Sequence, residues 1–242
     1  MPLLLLAHQS PLSSRRYRYA LDGLGDFCVP VAVDTPGYGE SDSPPGPWEV
    51  ADYAKVLWHV ADALGHERAW LFGRATGAVF ALHAAALQPN RLAGVMLHGV
   101  PVYTSDEKAD RLATFAPPYE ANVDGRHLQW IWSRVQSEYP WADAQLLTEL
   151  VRDYLSAGPD FANSYRAIWR HDLAASLSEL APVDLLMTGT DDRIGYMHER
   201  AVGSIRHRRA VVLPGATDFV AEQDPETFVA TLRDVMGAGG AA

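Results

Sequence analysis

Residues 71–79, LFGRATGAV, have the form that presents a reactive side chain. An apolar strand end runs into a Gly-x-x-x-Gly turn and then a small-residue helix start. A nucleophile usually stands in the middle of such a turn. Here the middle residue is Ala75, which has no reactive atom. Any chemistry must then come from groups that move protons or hold a ligand. The candidates lie at the ends of other apolar runs. His8, Gln9 and Ser10 follow LLLLA, His98 closes VMLH, Asp192 sits in GTDDR, and Asp218 sits in LPGATDF.

Strands and helices must position these groups. The apolar runs 3–7, 29–34, 69–73, 92–99, 183–189 and 209–215 read as strands, and Pro30 suits the start of one. Between them, 50–64 and 76–87 carry helical patterns, and 225–236 reads as a closing amphipathic helix. Strand–helix alternation of this kind predicts a parallel sheet with right-handed crossovers. Residues 103–180 break the alternation and predict a helical insertion rich in Trp and Tyr. The expected division is a core of 1–102 and 181–242 with a helical cap of 103–180. Ligands in such sheets bind at the carboxyl ends of the strands, where all the candidate residues fall.

Bulk properties narrow the partners. The chain has 242 residues and a net charge of -10, which argues against nucleic acid or an anionic membrane as the main partner. Cys28 is the single cysteine and excludes an intramolecular disulfide. MPLLLLAHQ lacks the basic start of a signal peptide, and no apolar run has membrane-spanning length, so a cytoplasmic protein is expected. There is no phosphate-binding Gly-rich loop, metal-ligand spacing, or flavin or nicotinamide fingerprint, so no cofactor is expected.

Five motifs in order carry a family resemblance. AHQSP, DTPGYGESDSP (34–44), GRATG (73–77), GTDDR (189–193) and LPGATDFVAEQDPETF (213–228) resemble the signature loops of the α/β-hydrolase fold. The resemblance implies a mostly parallel sheet, here lacking the first two strands, with an inserted helical cap. It makes AHQSP the oxyanion loop and GRATG the nucleophile elbow. GTDDR becomes the acid loop, and LPGATDF the loop that usually supplies histidine. Three positions depart from the family: Ala75 for the nucleophile, Asp218 for the histidine, and Gln9 for the glycine after His8. Asp192 matches. The Thr76 amide would remain as an oxyanion donor. Without the first two strands, the 29–34 strand becomes a sheet edge. A homodimer partner or the chain's own termini is expected to cover it.

The resemblance also assigns candidate roles. Asp218 and Asp192 are expected to meet beneath Ala75, where two close carboxylates would raise one pKa and make an acid/base pair. The alternative is an arginine, Arg74 or Arg193, lying between them as an ion pair. His98 is either a relocated base or a strand-end cap; His8 faces the pocket or braces its loop. Gln9, Ser10, Ala75 and Thr76 are candidate substrate contacts from below. His127 and Trp130, in DGRHLQWIW, are candidates from the cap. The leading expectation is a cofactor-free enzyme that eliminates, isomerises or cyclises a small apolar molecule, as in bacterial secondary metabolism. A hydrolase with relocated groups using activated water, and a non-catalytic small-molecule binder, are the alternatives.

Overall fold

The structure is a computed structural model that describes residues 1–115, 120–173, 177 and 182–239. Six strands form one sheet: β1 (Leu3–Ala7), β2 (Val29–Val33), β3 (Ala69–Arg74), β4 (Leu92–His98), β5 (Leu185–Gly189) and β6 (Ala210–Leu213). Their order is β2-β1-β3-β4-β5-β6 and every pairing is parallel. Parallel strands are covered on both faces, so their sequences need no alternation. Leu3 to Leu6 illustrate this, all four being fully buried. Leu3 and Leu5 pack with α2 (Val50–Ala63) and α3 (Thr76–Leu87). Leu4 and Leu6 face the other way, toward α1 (Leu21–Gly25) and Phe228, Leu232 and Val235 of the closing helix.

Between β4 and β5 the described residues are helical: α4 (Ser105–Thr114), α5 (Arg126–Glu138), α6 (Ala144–Ala157) and α7 (Asn163–Arg170). Ile131, Val135, Leu150 and Tyr154 of α5 and α6 form a cluster with Leu12 and Phe219 of the core. The expected boundary at 180/181 lies outside the described residues. After β5 come α8 (His198–Ser204), α9 (Val220–Gln223) and α10 (Pro225–Gly239). The closing helix runs past the expected end at 236, to Gly239; residues 240–242 lie outside the described residues.

The edge expected at 29–34 is β2, whose outer side pairs with no other strand among the described residues. Val29 N–H donates to Pro2 O, toward β1. Alternation along the strand then turns Pro30 and Ala32 outward. Pro30 has no N–H, so the outer rim offers one donor fewer to an incoming strand.

Candidate active site

The turn from β3 into α3 is built as an elbow. Ala75 has φ 49° and ψ -111°, a strained conformation for a side-chain-bearing residue. The turn is so tight that a Cβ on Gly73 would lie 2.2 Å from Gly77 O. One on Gly77 would lie 2.3 Å from Ala7 O. The glycines are therefore steric requirements. Ala75, the residue they lift, remains partly exposed.

The structure brings eight of the candidate residues to this crest, His8, Gln9, Ser10, Ala75, Thr76, His98, Asp192 and Asp218, together with Arg74 and Arg193. The oxyanion loop comes first. His8 is fully buried; its Nδ1 lies 3.0 Å from Gln9 O and its Nε2 accepts from Thr35 N–H at 3.0 Å. Both ring nitrogens are thus engaged by the loops they brace. Ser10 N–H donates to Thr76 Oγ1 at 2.7 Å, and that hydroxyl donates to Ser10 Oγ at 3.0 Å. The Tyr165 hydroxyl of α7 donates to Ser10 O. Thr76 N–H lies in the first turn of α3, where helical partners run out. Of the two amides flanking the crest, the one from Ser10 is engaged by Thr76.

Of the two arrangements the sequence left open for the acids, the structure shows not the proton-sharing pair but the ion pair through Arg74. Its guanidinium lies between the two acids, with Nη2 2.9 Å from Asp192 Oδ1 and 3.3 Å from Asp218 Oδ2. Arg74 Nε donates to Asp218 O at 3.3 Å. All three side chains are buried. Room for Arg74 comes from Gly99, where a Cβ would meet Arg74 Nη1 at 2.1 Å. Arg193 adds a backbone donor, its amide N–H donating to Asp218 Oδ1 at 3.0 Å, and a second cation, its guanidinium Nε 3.5 Å from Asp218 Oδ2. A shared proton between the acids is thereby displaced by a shared cation. Burial alone would push the Asp192 carboxyl up. Arg74 and His98 outweigh it and hold Asp192 well below the usual carboxylate range.

His98 is the imidazole nearest this chemistry. It ends β4 directly beside Arg74 in the β3–β4 register. Its Nε2 lies 3.2 Å from Asp192 Oδ2, at ion-pair distance but off the axis of a good hydrogen bond. Burial and the Arg74 charge lower its pKa, although Asp192 pulls the other way. Both lowering effects favour the neutral form of the His98 imidazole.

His127 and Trp130 stand apart from this group. His127 Nδ1 accepts from Asn122 N–H at 3.1 Å, tying the ring to the turn that starts its own helix. Trp130 is 37% exposed and packs near Arg134 and Phe161. Sequence reasoning passed over Tyr139 and Tyr165, whose hydroxyls reach the core loops. Tyr139 OH accepts from Arg193 Nη2 at 3.2 Å, and Phe115 and Trp169 pack on Tyr165. The Tyr and Trp density of 103–180 was the available signal, but nothing in spacing says which ring points down.

The model of the alpha/beta hydrolase family matches residues 4–231. Among characterised proteins, 2-(acetamidomethylene)succinate hydrolase of Mesorhizobium japonicum is 25% identical, covering 98% of this chain and 88% of that protein. Haloalkane dehalogenase 2 of Mycobacterium tuberculosis is also 25% identical, with the same coverage. Among solved structures, a hydrolase from Pseudomonas aeruginosa matches with TM-score 0.78 at 21% identity, covering 98% of this chain and 90% of that one.

Proposed function

Since the chain belongs to the alpha/beta hydrolase family, we propose that it is a hydrolase that works without a side-chain nucleophile. In this reading water attacks a small organic substrate, and His98 takes the proton. Asp192 stabilises the imidazolium that forms, as a buried carboxylate does for a catalytic histidine. Thr76 N–H faces the charge that develops on the substrate. Arg74 holds Asp192 ionised and keeps it aimed at His98.

The observation that carries the reading is the buried imidazole of His98 3.2 Å from the Asp192 carboxylate, one strand from the elbow. The hydrolase relatives support the same reaction class. Elimination or isomerisation by a proton-sharing acid pair has less support, because Arg74 lies between the two acids. The degenerate triad belongs to this proposal: Ala75 and Asp218 leave neither a serine to attack nor a histidine after β6 to activate it.

The test is turnover of activated esters, epoxides and haloalkanes in ¹⁸O-water. One oxygen from solvent is expected in the product. His98→Gln is expected to lower kcat about 100-fold or more, the usual contribution of a positioned base, with KM changed little. A serine-directed fluorophosphonate is expected to label nothing. Full activity in His98→Gln would remove the base.

One observation favours a second reading, a non-catalytic binder. The Ser10 amide is spent on Thr76 Oγ1, so this half of the anion cradle is closed. Tight ligand binding with no turnover across the panel would select it.

A further inference from the structure

A small cavity of about 20 Å³ lies beneath the crest, next to the pairing of Arg74 with the acids. Its walls are apolar on one side, where Tyr17, Phe72 and Phe228 meet. On the other side it is bounded by Gln9, Arg16, His98 and Asp218. Each of these four carries a buried polar atom without a hydrogen-bond partner among the described residues: Gln9 Oε1, Arg16 Nε, His98 Nε2 and Asp218 Oδ2. Their neighbours relieve them only in part: His98 Nε2 lies 3.2 Å from Asp192 Oδ2, off the axis of a good hydrogen bond. Arg16 Nε is 4.0 Å from the nearest carboxylate oxygen, Asp153 Oδ2. Asp218 Oδ2 lies at ion-pair distance from two guanidinium groups without hydrogen-bond geometry.

Four such atoms in one cavity are too costly to be coincidental, since each orphaned buried group costs about 1–3 kcal/mol. Their types are complementary. Gln9 Oε1 and Asp218 Oδ2 accept, Arg16 Nε–H donates, and His98 Nε2 donates when it carries the ring proton. Two acceptors and two donors are what one water satisfies with its two hydrogens and two lone pairs. The volume suits a single molecule, which needs roughly 10–15 Å³ of such space.

We propose that this cavity is a structural water site, in which one buried water bridges Gln9, Arg16, His98 and Asp218. The water donates to Gln9 Oε1 and Asp218 Oδ2 and accepts from Arg16 Nε and His98 Nε2. Gln9, at the position where the family has glycine, is then a ligand of this water instead of a contact to substrate. The site also selects the Nε2–H tautomer of His98, which leaves Nδ1 as its basic nitrogen. That last consequence rests on the hydrolytic reading; the water site does not.

High-resolution crystallography of the full chain tests the site directly. One ordered water is expected within hydrogen-bond distance of all four atoms. Histidine ¹⁵N spectra are expected to report His98 as the Nε2–H tautomer, with cross-relaxation to a long-lived water. Gln9→Leu is expected to lose the water and about 2–4 °C of thermal midpoint, while Gln9→Glu keeps it. A wild-type cavity that is closed, or filled by an ion, overturns the proposal. So does a water kept at full occupancy in Gln9→Leu, or His98 protonated at Nδ1. These readouts need no turnover, so their failure is separable from failure of the hydrolytic reading.

Discussion

A single guanidinium decides what the two acids can do. Arg74 reaches Asp192 and Asp218 from below Ala75, in a buried setting where removing one partner strands the others. Arg74→Met is expected to cost about 3–5 kcal/mol at neutral pH, measured by urea unfolding. The loss should shrink as pH falls, because without Arg74 burial raises the Asp192 carboxyl and lets it take up a proton. An undiminished loss at low pH would show that packing, not charge, was lost. Ala75→Ser alone is expected to add no p-nitrophenyl esterase activity to that of the parent protein. The new hydroxyl would have Asp218, not an imidazole, as the side chain offered by the loop after β6.

The elements are shaped by close approach of backbone to backbone. Gly77 lets the start of α3 lie against the end of β1, and a Cβ there would sit 2.3 Å from Ala7 O. Gly77→Ala is therefore expected to prevent accumulation of soluble, cooperatively folding protein. On the other side of β1, at the sheet edge, Pro30 removes an outward donor from β2. A homodimer paired through this edge would have to form without that donor. Pro30→Val restores the donor and is expected to raise the apparent mass with concentration in light scattering, while the parent does not. Equal behaviour of the two proteins would remove Pro30 from the explanation.

At the scale of the whole molecule, buried charge joins three parts of the chain. Arg16 follows the oxyanion loop and bonds Glu149 of α6 and Glu222 of α9, with Asp153 and Arg18 alongside. Three carboxylates face two guanidinium groups here, and burial, only partly offset by Arg16 and Arg18, raises Glu222 to about 7. A raised carboxyl favours the folded state at low pH and loses that advantage as pH climbs from about 4.5 through 7. Buried His8 and His98 have lowered pKa values and act oppositely, withdrawing stability as pH falls below about 6.5. The two effects oppose each other below about pH 6.5, and Glu222 adds no further slope above about pH 7. Glu222→Gln should remove its share of the decline between about pH 4.5 and 7 in a series of thermal melts; an unchanged slope in that window would exclude Glu222 as its source.

Much of this molecule was legible in its sequence because the signals were local. Buried parallel strands announce themselves as continuous apolar runs, and LLLLA and AWLFG need only short-range patterning to be read. The elbow was visible because Gly73 and Gly77 answer a steric demand within five residues. The acids at 192 and 218 could be placed together from the order of the loops. Which arginine stood between them could not, because Arg74 adjoins the elbow and Arg193 adjoins Asp192, and only packing at Gly99 seats the first of them there. The same holds for Thr76 closing on Ser10 and for the four polar atoms gathered from Gln9, Arg16, His98 and Asp218. Direction and distance among side chains that are far apart in the chain are set when helices close on the sheet, and spacing along a sequence carries neither.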